Sequence, residues 1–182
     1  DDSSMNLDDV DGDGYSSCDG DCDDEDASLH PYAGDTYGDG VDSDCDGLDC
    51  EGASSSGVYF VACAGGFDWI SGGEECTDGG YDGLASITSS TENDTVESLV
   101  DAISTRAWIG YTDASVEDTW EWASGLSSSY ENWQGANPSG DGDCAYMYAT
   151  DDGSAWQGYW NDYSCLSSSE GAYSFGAVCE AR

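Results

Sequence analysis

Negative charge constrains this chain more than any other feature. The 182 residues include 40 Asp and Glu but only two basic residues, Arg106 and Arg182, so the formal net charge is −38. Nucleic acids and anionic membrane surfaces are poor partners, because binding to either needs clustered Lys and Arg. Multivalent cations are the natural counterpart. Asp outnumbers Glu by 29 to 11, which favours metal-binding loops, since Asp reaches a cation bound close to its own backbone.

Acidic and apolar residues divide the chain into two parts. Residues 1–51 carry 19 acids and a few scattered apolar side chains, whereas all seven tryptophans follow residue 68. The small polar stretch EGASSSG predicts a boundary, with an Asp/Gly-rich segment at 1–51, a linker at 52–57 and a second domain at 58–182. No apolar run approaches the roughly 20 residues that span a bilayer, so we expect no membrane insertion.

The stretch DVDGDGY at residues 9–15 has the spacing of a calcium loop. Carboxylates occupy its first, third and fifth positions, Gly14 the sixth, where such loops turn sharply, and the Tyr15 carbonyl the seventh. The twelfth position, where an EF-hand has a Glu, is Gly20, so the closing ligand comes from one of the Asp residues at 19–24. A second copy, DSDCDG, lies at 42–47 after a GDG. The predicted calcium ligands of this half are Asp9, Asp11, Asp13, Tyr15, Asp19, Asp21, Asp23, Asp24, Asp39, Asp42, Asp44 and Asp46.

A disordered acidic tail is the alternative interpretation of residues 9–49. Cysteines at matching places, in CDGDC and CDGLDC, argue against it. The nineteen acids of residues 1–51 repel one another without counter-charges, so we expect this segment to fold only with several bound Ca²⁺ ions. It resembles the acidic metal-binding repeat of secreted and surface proteins of bacteria, which implies a bacterial extracellular location. One departure is Tyr37, where many such repeats have a cysteine.

Residues 57–182 predict an α+β domain. An apolar strand, YFVAC, is followed by two helical stretches, and the second extends from Ser89 or Ser90 to about Ile103 with Glu92 behind a Ser/Thr cap. Short strands, aromatic residues and Gly/Asn/Asp turns follow, in AWIGYTD, WEWASG, CAYMYAT and GAVCE.

These residues resemble a C-type lectin-like domain. GGYDGLASITSSTEND matches its helix-to-strand stretch, WIGYTD its core WIG motif, and YWND with VCE its last strands. The resemblance implies two helices, short antiparallel sheets, a long calcium-loop region, and disulfides Cys76–Cys179 and Cys144–Cys165. Bridges of this span contribute roughly 3 to 5 kcal/mol by restricting the unfolded chain.

The same resemblance implies calcium sites in the loop region. The auxiliary site of the family corresponds to Asp113, Glu117 and Asp143. Its principal, sugar-reading site corresponds to Asn137, Ser139, Asn161 and Asp162. The next acid of the family corresponds to Gly142, with Asp141 beside it as the candidate substitute. The family's EPN or QPD tripeptide is Asn-Pro-Ser here, so carboxylates are lost and we expect the auxiliary site to bind calcium better. The alternative is that these motifs persist as loop architecture without a bound sugar.

Aromatic residues of the second half are expected mainly in the core. The tryptophans at 108, 120, 122, 133 and 160 are interpreted as packing residues, and Trp156, in the insertion DDGSAWQGY, as an exposed ligand-binding candidate. His30, in SLHPYAG, is interpreted as a turn residue, because one histidine without a nearby Ser or Cys makes no catalytic set.

Nine cysteines indicate an oxidising compartment, so we expect a secreted protein whose signal peptide has been removed. After the two lectin-type bridges, Cys22 is expected to pair with Cys45 and Cys50 with Cys63. Cys18 then remains as a free thiol or for a bond to another chain.

Two hypotheses about function follow. The first is a structural subunit that self-associates through calcium into an extracellular fibre or surface layer. The alternative is a calcium-dependent lectin module or adhesin for a glycan or protein ligand. An enzyme is not expected, because one histidine and no lysine provide no nucleophile and base pair.

Overall fold

The computed structural model describes residues 8–34, 41–45, 50–140, 142–150, 156–170 and 173–182. These residues form two helices and ten strands, which confirms the predicted α+β class. The elements in chain order are β1 (Glu51–Ser55), β2 (Val58–Cys63), α1 (Trp69–Asp78), β3 (Gly83–Leu84), α2 (Ser90–Ala102), β4 (Ala107–Thr112), β5 (Glu121–Trp122), β6 (Cys144–Met147), β7 (Trp160–Tyr163), β8 (Ser169–Glu170), β9 (Tyr173–Ser174) and β10 (Gly176–Ala181).

Eight of these strands form one sheet in the order β1-β2-β10-β4-β6-β7, with β3 beside β10 and β5 beside β4. The last strand lies beside the second strand, since Cys179 of β10 pairs with Val61 of β2. The pair β10 and β4 is parallel, so the sheet is mixed and not purely antiparallel as predicted. The strand patterns could not show this pairing, because it joins segments far apart in sequence.

Both helices begin at the side chain of a capping residue. The Asp68 carboxylate accepts a hydrogen bond from the Ser71 N–H at 2.7 Å, and the Ser71 hydroxyl accepts one from the Asp68 N–H at 3.0 Å. The hydrogen bond from the Ser71 N–H lowers the pKa of Asp68 most, and a bond from the Ser71 hydroxyl lowers it further. Ser89 caps α2 by accepting from the Glu92 N–H at 3.2 Å. The predicted start of α2 is therefore confirmed.

The core lies on both faces of the sheet. Successive residues of β4 alternate between the two faces, so Ile109 packs with the α2 side and Trp108 with the α1 side. The buried apolar side chains of α2 are Val96, Leu99 and Val100, followed by Ile103 just after the helix. Trp108 and Trp160 are fully buried, which agrees with their interpretation as packing residues.

The predicted linker at 52–57 is wrong, because these residues form most of β1 and its turn into β2. A side chain on Gly52 would lie 2.1 Å from the Tyr59 hydroxyl, so this position is small to permit close packing and not to provide flexibility. The Ser55 hydroxyl donates to the Thr91 carbonyl of α2 at 3.4 Å. The sheet thus begins at Glu51, one strand before the predicted domain start at 58.

Four disulfides connect the described residues. They are Cys22–Cys45, Cys50–Cys63, Cys76–Cys179 and Cys144–Cys165. All four expected pairs are therefore present, and Cys18 is exposed with a free thiol. Cys50–Cys63 joins the residue before β1 to the end of β2, so it ties the N-terminal segment to the sheet.

The N-terminal segment is irregular. Turns and bends occupy the described residues 8–34 and 41–45, which contain neither a helix nor a strand. Neither of the described helices is long and apolar enough to cross a bilayer.

Gly110 tests how tightly the sheet packs against the chain before α2. A Cβ at this position would lie 2.6 Å from the Leu84 carbonyl oxygen, a backbone atom that cannot move away cheaply. We expect Gly110→Ala to lower the free energy of unfolding by roughly 1 to 3 kcal/mol. The matched control is Gly66→Ala, since nothing lies within 4 Å of its added Cβ. Denaturant unfolding measures both, and equal stability of the two variants would contradict the packing described.

Candidate functional site

The first Asp-rich loop wraps around its own carboxylates. Asp9 accepts hydrogen bonds from the N–H groups of Gly12 at 2.7 Å and Gly14 at 3.1 Å. Both glycines have positive φ values, 88° and 105°, which turn the chain sharply. Oxygen atoms of Asp9, Asp11 and Asp13 lie within 4.8 Å of one another. The structure thus brings together the first three predicted ligands.

Several buried oxygens in this loop lack a donor. The Oδ2 atoms of Asp11, Asp13 and Asp21 have no hydrogen-bond partner within the described part of the chain, and Asp21 is only 7% exposed. Burial raises the pKa of Asp11, and the neighbouring carboxylates of Asp13, Asp21 and Asp9 raise it further, against one hydrogen bond from the Asp13 N–H. Asp21 therefore lies close enough to Asp11 for its charge to act there, and among the candidate closing ligands it is the one with a buried oxygen that lacks a donor within the described residues; its role as a ligand stays a prediction. We call Asp9, Asp11, Asp13 and Asp21 the N-terminal carboxylate cluster.

Calcium fits this cluster chemically. Ca²⁺ binds oxygen ligands at about 2.3 to 2.6 Å, so two ligands on opposite sides of one ion lie about 5 Å apart. The spacing within 4.8 Å agrees with this. The donors are all carboxylates, which suit a hard cation, and a cation removes the cost of burying unpaired anionic oxygens.

Three other predicted ligands of this loop hold nearby turns. Asp24 accepts from the Val10 N–H at 2.9 Å and from the Ser17 hydroxyl at 3.1 Å. Asp19 accepts from a serine hydroxyl at 2.6 Å, and Asp23 from a backbone N–H at 3.4 Å. Their role as calcium ligands stays a prediction, as does that of the Tyr15 carbonyl. The Tyr15 ring stacks on His30, which lies in a turn.

The second Asp-rich loop is described only at residues 41–45, so Asp39 and Asp46 lie outside the described residues. Asp42 is half-buried. Asp44 is buried, and its Oδ2 accepts hydrogen bonds from the hydroxyls of Tyr59 and Tyr81, both at 3.1 Å. This contact between the segment and the sheet could not be predicted from sequence, because nothing in the motif distinguishes Asp44 from a metal ligand.

A second carboxylate cluster lies where β4 ends and β6 begins. The Asp113 N–H donates to the Asp143 carbonyl at 3.1 Å, and Asp113 Oδ2 accepts from the Asp118 N–H at 2.9 Å. Asp113 Oδ1 is buried without a donor among the described residues. The negative charge of Asp113 raises the pKa of Glu117 most. Burial raises this pKa further, as do the charges of Asp143 and Asp118. The backbones of Asp113 and Asp143 therefore lie side by side, and Glu117 lies close enough for both charges to act on it. We call these three residues the loop carboxylate cluster, and their role as calcium ligands stays a prediction.

The loop that corresponds to a sugar-reading site is closed by its own hydrogen bonds. Asp162 is fully buried, and its carboxylate accepts from the N–H groups of Ser139, at 2.8 and 2.9 Å, and of Gly140, at 2.8 Å. The Asn137 side-chain amide donates to Asn161 Oδ1. Internal donors therefore use the oxygens that would hold a cation, although the peptide bond between Asn137 and Pro138 is cis. Asp141 lies outside the described residues.

A buried polar network anchors this loop to the core. Asn161 donates to the Tyr146 hydroxyl at 3.0 Å, and this hydroxyl donates to the Glu170 carboxylate at 2.6 Å. Burial raises the pKa of Tyr146, and the bond to Glu170 raises it further. Arg106 forms an ion pair with Glu170, and its guanidinium lies 4.9 Å from the Tyr148 ring centre. No motif in the sequence indicates this network.

Trp156 is exposed, as expected. It is 43% exposed and meets the 42% exposed ring of Tyr159 edge to face at 6.4 Å. Trp122 is buried, and Trp120 and Trp133 are half-buried beside Tyr111.

Comparison with known proteins identifies the fold. The sequence model of the family described as "Lectin C-type domain" matches residues 68–180. Lymphocyte antigen 75 of Mesocricetus auratus is 30% identical over 50 residues, which are 28% of this chain and 3% of that protein.

Solved structures agree with the family match. The herring type II antifreeze protein has 27% identity and a TM-score of 0.59 over 71% of this chain and 94% of that one. The carbohydrate-recognition domain of cow CD23, solved in the presence of a GlcNAc2Man3 oligosaccharide, has 25% identity and a TM-score of 0.58, covering 71% of this chain and 91% of that one. Human lithostathine, at 23% identity and a TM-score of 0.61, covers 72% of this chain and 96% of its own and shows similarity of fold alone.

Calcium affinity is expected to fall as the pH is lowered. The fall should begin at a higher pH than it would for carboxylates with ordinary pKa values. The raised pKa values of Asp11 and Glu117 mean that protons occupy both groups above the usual Asp and Glu pKa of about 4. Calcium must then displace these protons, so affinity falls and proton release rises as the pH decreases from 7 toward 4. Calorimetry in two buffers of different ionisation enthalpy measures both quantities. An affinity that is the same at pH 7 and pH 4.5 would contradict carboxylate ligation.

Proposed function

This chain belongs to the C-type lectin domain family, and on that premise we propose that it is a secreted calcium-binding protein. We propose further that it is a structural subunit of a calcium-stabilised extracellular fibre or surface layer. Its ions hold the structure together, and no step of catalysis is involved.

The buried oxygens of the N-terminal carboxylate cluster are the observation that carries the calcium proposal. Asp11, Asp13 and Asp21 each keep an oxygen away from water without a donor in the described part of the chain. Buried charges are costly unless they are paired or bind a metal. Calcium is the hard dication that carboxylate oxygens suit. Asp113 Oδ1 in the loop carboxylate cluster has the same need.

Net charge supports calcium-dependent assembly. Both basic residues have internal partners, since Arg106 pairs with Glu170, and Arg182 with Glu180 at 2.8 Å. Two copies at a net charge of −38 repel each other, and divalent cations between acidic surfaces remove that repulsion. The exposed Cys18 thiol also offers a covalent bond to a second copy.

Closure of the sugar-reading loop favours a structural role over the lectin alternative. The oligosaccharide in the cow CD23 structure is a fact about CD23 and not about this chain. In this chain, the Asp162 carboxylate accepts from the N–H groups of Ser139 and Gly140, so calcium and a sugar hydroxyl would have to displace both donors. Four disulfides support an extracellular location, because such bonds persist in oxidising compartments. The resemblance of residues 9–49 to the bacterial acidic repeat supports a bacterial surface.

The alternative function is a calcium-dependent lectin module or adhesin for a glycan or protein ligand. Exposure of Trp156 and Tyr159 favours it, because paired exposed aromatic rings suit recognition of a ligand surface. A glycan array with and without calcium distinguishes the two functions. Binding of a defined glycan only with calcium would support the lectin function.

Electron microscopy of the full chain with calcium and with a chelator tests the assembly. We expect ordered fibres or layers with calcium and dispersed particles after chelation. The variant Asp11→Asn/Asp13→Asn should bind one ion fewer by calorimetry and assemble poorly, because two ligands lose their charge. The control Glu74→Gln/Asp94→Asn removes the same charge from exposed positions on α1 and α2. Dispersed particles under both calcium and chelator conditions would rule out the assembly.

A further inference from the structure

A buried carboxylate joins the N-terminal segment to the lectin-type fold. Asp44 is 5% exposed, and its Oδ2 lies 3.1 Å from the hydroxyls of both Tyr59 and Tyr81. Tyr59 lies in β2 and Tyr81 follows α1, so the two hydroxyls come from different elements of the fold. A charge buried this deeply is stable only with donors, and the hydrogen bonds from these tyrosines provide them. We call Asp44, Tyr59 and Tyr81 the latch.

A second part of the segment meets the same tyrosine. The Tyr59 hydroxyl lies 2.5 Å from the Ala33 carbonyl oxygen, so its one proton is shared between this oxygen and Asp44. The Tyr32 ring contacts the Tyr59 ring edge to face at 5.7 Å. The segment therefore docks on the sheet through residues on both sides of the range 35–40.

The latch and the N-terminal carboxylate cluster are connected by a disulfide. Asp21 of the cluster precedes Cys22, Cys22 is bonded to Cys45, and Cys45 follows Asp44 of the latch. A second connection is the hydrogen bond from the His30 N–H to the Ser43 carbonyl at 3.0 Å. A short covalent path thus connects Asp21 to Asp44.

We infer that calcium in the N-terminal carboxylate cluster stabilises the lectin-type fold through the latch. The inference rests on the proposed calcium-binding function and assigns a regulation to it. Without calcium, repulsion among Asp9, Asp11, Asp13 and Asp21 favours an opened loop, which moves Cys22 and Cys45 and weakens the hydrogen bonds to Asp44. With calcium, the loop is fixed and the latch closes. Because such coupling is reciprocal, a closed latch also raises the calcium affinity of the cluster.

Tryptophan fluorescence separates the two parts of the chain. All seven tryptophans follow residue 68, so thermal unfolding followed by this signal reports the lectin-type fold alone. For the full disulfide-bonded chain, a calcium concentration one hundredfold above Kd is expected to raise this Tm by roughly 5 to 10 °C. The N-terminal carboxylate cluster accounts for the part of the calcium-induced Tm increase that Asp11→Asn/Asp13→Asn removes. The loop carboxylate cluster is unchanged in every variant, so its contribution to the Tm increase stays the same.

The variant Tyr59→Phe/Tyr81→Phe opens the latch while keeping both rings. We expect it to lose the same share of the calcium-induced rise, to keep the full number of bound ions in calorimetry, and to bind the N-terminal ion about tenfold more weakly. Adding Asp11→Asn/Asp13→Asn to it should remove nothing more, because the two pairs act in one path. The control Tyr163→Phe, whose ring packs on Phe175, should keep the full rise. If the double variant does not fold, Tyr81→Phe alone should lose part of the share.

The possible failures are distinguishable. A full calcium-induced rise in Tyr59→Phe/Tyr81→Phe would overturn the coupling and leave the calcium site intact. An unchanged number of ions in Asp11→Asn/Asp13→Asn would overturn the N-terminal site itself, and the coupling with it.

Discussion

The need to neutralise carboxylates governs this structure. Two carboxylates about 6 Å apart repel by about 0.7 kcal/mol in water, and burial increases that figure. Most buried acids therefore have a donor nearby: Glu92 accepts from the N–H and hydroxyl of Thr88, Glu180 pairs with Arg182, and Asp162 holds backbone N–H groups. The oxygens that lack a donor in the described part of the chain belong to Asp11, Asp13, Asp21 and Asp113. These two places are where the proposed calcium ions would remove the cost of buried, unpaired charge.

The same principle explains how the lectin-type loop is maintained without a sugar-reading carboxylate set. Asp162 closes the loop onto its backbone, and Asn161 continues into the network of Tyr146, Glu170 and Arg106. The side chains that correspond to the family's sugar-reading site thus support the architecture here. The ring of Trp156 is exposed and lies outside this set of hydrogen bonds.

Local sequence predicted the parts of the molecule that depend on local chemistry. The alternation of Asp and Gly at 9–14 encodes tight turns around carboxylates, and a Ser cap with buried apolar residues at helical spacing encodes α2. The sequence was misleading where a distant contact decides. Gly52 is small because the Tyr59 hydroxyl lies against it, so a polar, flexible-looking stretch is a strand. Asp44 has the position of a metal ligand in its motif, which gives no sign of its hydrogen bonds from two tyrosines elsewhere in the chain. The parallel pairing of β10 with β4 likewise depends on the whole fold.

Hydrogen exchange in the N-terminal segment tests most directly whether this segment needs calcium in order to fold. The N–H groups of Gly12, Gly14 and Tyr15 donate to the carboxylates that would hold the ion. With calcium, we expect peptides covering residues 9–24 to exchange slowly. After chelation, they should exchange at the rate of an unfolded chain, while β4 and β10 remain protected. Equal protection of residues 9–24 with calcium and with chelator would contradict the account.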